Sequence, residues 1–179
     1  MRQSILRYFI SLLLVSLCIC SATSIFIISG SMKEDSEREM MYSVKLIEYN
    51  LDYSGDLNKQ IETLNPLAFS DDTRISVIDE KGKVLADTYK DDISSNHIKR
   101  EEVQEALHSS NHEGYAMRRS ETTNQPLLYA AYYKDNHIIR LSIPYSGVWG
   151  YFPELAPAFA ISILISILFS YIVARKLSK

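Results

Sequence analysis

The side chains of this 179-residue chain whose types and spacing can do chemistry are its four histidines, a set of arginines in its second half and a few acidic pairs. His108, His112 and Glu113 would suit a metal ion if their segment were helical, but Ser109, Ser110 and Asn111 form a helix-ending stretch. A surface loop is therefore expected, with no metal site. His97 follows a helix-cap position, where it either braces its loop or touches a ligand. The guanidinium groups of Arg100, Arg118 and Arg140 are suited to gripping a carboxylate or phosphate bidentately, the ordinary alternative being a solvated face. Arg118 and Arg119 are adjacent, so on a strand they point to opposite sides. Tyr129, Tyr132 and Tyr133 divide in the same way between core and surface. The acidic pairs Asp71-Asp72, Asp91-Asp92 and Glu101-Glu102 are too far apart in sequence to predict one cation site. No nucleophile, base and orienting group form a catalytic set, and nothing in the chain implies a cofactor.

The elements that position these groups begin with two uncharged blocks. Tyr8 to Met32 and Leu155 to Ala174 contain no Asp, Glu, Lys or Arg, and each is long enough for the roughly 20 residues that a bilayer core demands. The expected order is residues 1–7 cytoplasmic, 8–32 a first transmembrane helix, 33–146 one outer domain, 147–174 an interfacial segment with a second transmembrane helix, and 175–179 cytoplasmic. Arg2, Arg7, Arg175, Lys176 and Lys179 flank the spans, which by the positive-inside rule places both termini in the cytoplasm of a two-span cell-membrane protein. Membrane lipid is thus one expected partner. Residues 33–146 hold 14 Lys and Arg against 21 Asp and Glu, a balance of −7, which excludes nucleic acid as a partner. A cleaved signal peptide over residues 1–28 is the competing reading, with small residues at Ser21 to Ser24. Against it, the apolar run resumes at Ile25 to Ile28, longer than a signal peptide's apolar core. Cys18 and Cys20 lie inside this span, two residues apart, and cannot bridge each other on a helix.

Within the outer segment, Lys33 to Leu51 lacks Pro and Gly and places Met40, Val44, Ile47 and Leu51 at helical spacing. A second, short helix opens at Gly55-Asp56, buries Leu57, Ile61 and Leu64, and ends at Pro66. Arg74–Asp79 and Lys83–Asp87 read as a hairpin around Gly82. A helix over Lys99–His108, capped by Ser95 or Asn96, precedes strands at Gly114–Glu121, Leu127–Lys134 and His137–Pro144. This order predicts an α+β fold: an antiparallel five-stranded sheet with flanking helices, set between two transmembrane helices.

The runs Arg74-Ile-Ser-Val-Ile-Asp-Glu-Lys-Gly-Lys-Val-Leu-Ala-Asp-Thr88, Asn96-His-Ile-Lys-Arg-Glu-Glu-Val103, Leu128-Tyr-Ala-Ala131 and Ile139-Arg-Leu-Ser142 resemble the extracellular sensor of Gram-positive bacterial histidine kinases. The chain is similar to the phosphate-regulon sensor kinases, and its outer domain resembles the extracellular PAS-like (Cache, or PDC) fold. Ala174 to Lys179 resembles the start of the cytoplasmic linker of such kinases. No phosphoacceptor histidine, ATP-binding box or Gly-rich lid follows Lys179, so the expectation is a sensory fragment of an ATP-dependent protein-histidine kinase. The resemblance implies a homodimer, and a response regulator reached only through cytoplasmic domains beyond this sequence. In a domain of this type the ligand space lies between the sheet and the Lys99–His108 helix. Arg100, Arg118, Tyr129 and Tyr132, with His97 behind them, are the expected ligand-binding residues, and a small anion the expected ligand. An extracellular partner protein is the alternative stimulus. Pro153 and Pro157, beside Trp149, Tyr151 and Phe152, are expected to transmit the signal into the second span. A chemoreceptor, a cyclic-dinucleotide synthase or a membrane-anchored interaction protein with the same sensory half are the alternative functions.

Overall fold

A computed structural model describes residues 2–68, 72–89, 96–120 and 124–177. The chain separates into two units, Gly30–Tyr145 and Met1–Ser29 with Ser146–Lys179. Helix α1, Arg2–Asn50, carries both the apolar N-terminal run and the amphipathic stripe that follows it. Among the described residues it is the one helix long and apolar enough to cross a membrane, with mean hydropathy 1.8 over the best window of Val15–Asn50.

In the first unit, Met40, Val44 and Ile47 of α1 and Leu51 just after it are buried, together with Met41. The chain then turns on Asp52, whose carboxylate accepts from the Ser54 amide at 3.0 Å. Helix α2, Leu57–Leu64, starts where the Asp56 side chain accepts from the Lys59 amide, and it buries Ile61. A 3₁₀ turn at Asn65–Leu67, with Pro66 in its first positions, ends it. Five strands follow: β1 Arg74–Asp79, β2 Val84–Asp87, β3 Glu113–Arg119, β4 Pro126–Lys134 and β5 His137–Pro144. They form one antiparallel sheet in the order β2-β1-β5-β4-β3. The turns are made by residues that tolerate left-handed backbone: Gly82 at φ 84° between β1 and β2, and Asp135 and Asn136 at φ 48° and 64° between β4 and β5.

Because side chains alternate along a strand, the sheet has two unlike faces. One is apolar: Ile75, Val77, Leu128, Ala130, Ile139, Leu141 and Ile143 pack with the α1 stripe and Ile61. The other is apolar at one end only. There Ile78, Val84, Ala131 and Ile138 meet Val103 and Ala106 of α3, Glu101–His108.

Within the sheet and α3, two boundaries differ from expectation by more than one residue. Helix α3 starts at Glu101 because Arg100 is extended, at φ −71° and ψ 137°. Asn96 does not cap it. Its side-chain oxygen accepts from the Ile98 amide at 2.9 Å and its amide donates to the Lys81 carbonyl at 2.9 Å, fastening the loop to the β1–β2 turn. Ser95 and the Asp91-Asp92 pair lie outside the described residues, as does Asp71. Strand β3 ends at Arg119, since Ser120 accepts from the Asn124 amide at 2.9 Å and closes a turn.

In the second unit a 3₁₀ turn, Gly147–Tyr151, leads into α4, Phe152–Leu177. Pro153 sits in the first turn, where a missing N–H costs nothing, and Pro157 lies inside the helix.

Helix α3 approaches β3 most closely at Gly114, where a Cβ would collide with the Glu102 carbonyl oxygen and the Ala106 nitrogen, both backbone atoms. Gly30 in α1 has open space around it. Gly114→Ala should therefore cost about 2–3 kcal/mol by overpacking, while Gly30→Ala should be neutral or stabilise by up to about 1 kcal/mol. Urea unfolding of the full chain in detergent, followed by circular dichroism, checks this. A Gly114→Ala protein as stable as the parent would contradict the packing described.

Candidate functional site

The half-polar face of the sheet is written into two central strands. Arg74 and Ser76 of β1 share the phase of Ile78, and Arg140 and Ser142 of β5 share the phase of Ile138. Register sets Ser76 beside Arg140 on one side and Asp87 of β2 on the other, and sets Ser142 between Arg74 and Tyr129 of β4. Arg118 of β3 and Glu102 of α3 complete the group.

Two buried carboxylates organise it. Asp87, 1% exposed, receives Arg74 in a fork, Nε to Oδ1 at 2.9 Å and Nη2 to Oδ2 at 3.0 Å. It also accepts from the Ser76 hydroxyl at 2.8 Å, and that hydroxyl accepts from Arg140 Nη2 at 3.1 Å. Glu102, 0% exposed, receives a second fork from Arg118, Nη1 to Oε2 at 2.5 Å and Nη2 to Oε1 at 3.0 Å. Arg140 Nη1 lies 3.5 Å from the same Oε1. The Tyr129 ring sits under both cations, 3.6 Å from the Arg118 guanidinium carbon and 5.6 Å from that of Arg140.

The charge states follow from these contacts. Burial pushes the Glu102 carboxyl up, but the hydrogen bonds and charge of Arg118 and the charge of Arg140 outweigh it and hold the group below the usual carboxylate range. Burial likewise presses Arg118 down, and Glu102 more than restores it. Arg140 is held below its ordinary value, chiefly by burial and further by the charge of Arg74, against the pull of Glu102 and Asp87. Two cations here share one carboxylate. The Nε of Arg140 has no hydrogen-bond partner among the described residues.

The structure thus brings Arg118 and Tyr129 together and sets the other expected ligand residues elsewhere. Tyr132 is three residues from Tyr129 and so lies on the opposite face, partly buried against the α1 cluster with Lys45 at 5.2 Å from its ring. Arg100 precedes α3, where its carbonyl accepts from Val103 and Gln104, and its guanidinium makes no ion pair among the described residues. His97 is buried in the loop, its amide donating to the Gly82 carbonyl at 2.7 Å and its carbonyl accepting from Arg100 at 3.0 Å. His108 closes α3 with Nδ1 2.8 Å from the Gln104 carbonyl, and His112 is left-handed at φ 59°. Glu102, Asp87 and Ser76 were not expected at the site. Their signal in the sequence is the repeated polar phase of β1 and β5, and the continuity of Glu102 with Val103 and Ala106 on one helix face.

A separate groove of about 360 Å³ runs between α1 and β3. Three of its polar groups are paired with one another: Lys45 meets Glu113 at 2.6 Å, and the Tyr115 hydroxyl donates to Glu113 at 3.0 Å.

No protein-family model matches the chain and no curated protein matches it. Solved structures do. The methyl-accepting chemotaxis protein from Vibrio parahaemolyticus RIMD 2210633 is similar at 16% identity and TM-score 0.50 over 69% of this chain and 97% of that one. The ligand-binding domain of the Campylobacter jejuni chemoreceptor Tlp3, in complex with L-valine, is similar at 18% identity and TM-score 0.50 over 73% of this chain and 61% of that one. The Bacillus subtilis YkuI protein, with an EAL domain and in complex with c-di-GMP and calcium, is similar at 17% identity and TM-score 0.50. This chain covers only 37% of YkuI, with 74% of its own length. The antiparallel five-stranded sheet with flanking helices is the architecture of Cache/PDC-like sensor domains.

Glu102 gives this site a pH signature. Its carboxyl in the folded protein titrates below the unfolded value, so the stability it contributes is present above about pH 4.5 and is lost as pH falls through the folded pKa. Glu102→Gln leaves both guanidinium groups short of charge and should cost about 3–5 kcal/mol at pH 7. The gap between variant and parent should narrow at pH 3. Denaturant unfolding at the two pH values measures it, and a gap that is constant or wider in acid would contradict the assignment.

Proposed function

We propose that the chain is the sensory input module of a membrane-anchored signalling protein. Residues 33–146 stand outside the cell, two spans lie at 8–32 and within 147–174, and both ends are cytoplasmic. The observation that carries this reading is a Cache-like sheet whose core helix, α1, also carries the apolar run fit for a membrane. The basic residues at both chain ends support the orientation. A homodimer is the proposed assembly, with Tyr42, Leu46 and Tyr49 exposed along the outer side of α1 to meet a second copy.

The output we propose is that of a two-component sensor histidine kinase, on the resemblance of the β1–β2 hairpin and the His97 loop to Gram-positive phosphate-regulon kinases. Phosphoryl transfer from ATP and contact with a response regulator belong to such a parent. A chemoreceptor is the second reading, favoured by the similarity to the Vibrio and Campylobacter domains. In both readings the stimulus is a small anion held at Arg118, Tyr129 and Arg140. L-valine in the Campylobacter chemoreceptor carries the carboxylate such a site would take. Arg100, His97 and Tyr132 act behind that contact, as braces of the loop and of the α1 face.

Transmission runs through Pro153 and Pro157. Proline inside a helix removes one backbone hydrogen bond and permits a bend, and Pro157 occupies such a position.

One set of cells tests both parts. In a chain with Cys18 and Cys20 replaced by serine and a histidine-kinase catalytic half joined after Lys179, a cysteine at Ser54 should react with an impermeant maleimide and one at Ser178 should not. Pro157→Ala should change the response to an anionic stimulus without changing the stability of the outer domain. Equal labelling at both positions overturns the topology, and an unaltered response overturns the role of Pro157.

A further inference from the structure

The Glu102 carboxylate is held in the way a bound carboxylic acid would be. It is fully buried, takes a two-bond fork from Arg118 and lies near Arg140, with an aromatic ring beneath both cations. Yet it comes from the protein's own helix. We propose that Glu102 is a tethered anion, occupying the guanidinium pair that a small carboxylate ligand takes, so that ligand binding exchanges it out and frees the first turn of α3 from the sheet. This inference rests on the sensory reading above and names how that site is regulated.

Three features support exchange over a permanent brace. First, the donors exceed the acceptor. Two guanidinium groups carry about ten N–H donors, of which one carboxylate uses few, and Arg140, 3% exposed, keeps an Nε without a partner among the described residues. Those donors are of the kind that bind a planar carboxylate. Second, one member of the pair is open to solvent: the Arg118 side chain is 27% exposed, while Glu102 and Arg140 lie behind it.

Third, α3 is fastened unequally. Its C-terminal half is tied to β3 without Glu102, by the Tyr115 amide donating to Glu105 at 2.6 Å and by the Ser109 hydroxyl donating to the Glu113 carbonyl at 2.7 Å, while Gly114 lies against the backbone of both Glu102 and Ala106. Its first turn has no side-chain cap at Arg100 and is held to the sheet by Glu102 and Val103. A helix of eight residues does not persist on propensity alone, so removing the Glu102 contact loosens that turn. The turn adjoins the His97 loop, which is bonded to the Gly82 turn of the β1–β2 hairpin. Movement at Glu102 therefore has a covalent and hydrogen-bonded route to that hairpin.

The test uses the full chain in phospholipid nanodiscs, with acetate as the probe at constant ionic strength. Calorimetric titration should show acetate binding to Glu102→Gln at least tenfold more tightly than to the parent, because the internal competitor has lost its charge. Glu102→Asp, whose shorter carboxylate reaches the pair less well, should lie between them, and it reads the same effect if Glu102→Gln does not fold. Arg118→Gln should abolish binding. Hydrogen exchange by mass spectrometry should show residues 101–108 exchanging faster in the parent when acetate is added, and already faster in Glu102→Gln without it. Equal or weaker binding by folded Glu102 variants, or acetate binding that leaves α3 exchange unchanged, overturns the tethered anion and leaves the ligand-binding reading standing. Acetate that binds none of the folded proteins overturns both.

Discussion

A carboxylate with no exposure to water must be met by cations and hydrogen bonds or it will not stay charged, and Glu102 is the position where this chain faces that requirement. Much of the Gly30–Tyr145 unit is arranged around it. Arg118 has to point to the α3 side of β3, which fixes the phase of that strand, and Gly114 two pairs of residues earlier has to lack a side chain so that α3 comes close enough for the fork to form. Arg140 has to enter from the central strand of the sheet, which requires a polar partner for it at Ser76 on the neighbouring β1, itself bonded to Asp87 on β2. The polar stripe across an otherwise apolar sheet is the consequence.

The two faces of the sheet then take different parts. The α1 face is closed by large aliphatic side chains, and a large-to-small change there, such as at Ile47, removes packing at about 2–5 kcal/mol. Clips at its edge, Lys134 to Glu48 at 2.8 Å and Tyr53 stacked on His137 at 3.9 Å, hold the end of α1 to the β4–β5 hairpin. The α3 face is held in part by ion pairs, Arg118 with Glu102 and Arg74 with Asp87. The groove beside Lys45 offers less, because Glu113 already neutralises the lysine and engages Tyr115.

Alternation and turn chemistry made most of this architecture legible before the structure. The hairpin around Gly82, the Asp135-Asn136 turn and the stripe from Met40 to Leu51 each depend on residues close in sequence, where local sterics decide the outcome. The site was legible in part. Arg118 and Tyr129 emerge together because strand parity puts them on the same side once β3 and β4 are in register. Tyr132 was misplaced against that same parity, since an odd spacing from Tyr129 reverses the face. The start of α3 was hidden because Asn96 has two uses for its side chain, and it closes a local turn in preference to capping a helix five residues away. Glu102 was hidden for a different reason. A glutamate in the first turn of a helix ordinarily faces water and the helix dipole, and its burial here depends on a partner 16 residues away on another element.

The most direct measurement of whether the α3 face reads an anion is the side-chain resonance of Arg140. In the full chain labelled with ¹⁵N-arginine, titration with acetate should move the Arg140 Nε–H signal, because that donor has no acceptor among the described residues and gains one, and the movement should vanish in Arg118→Gln. An Arg140 signal that stays fixed while acetate binds would show that the ligand sits elsewhere, and would contradict the assignment of this face as the sensory site.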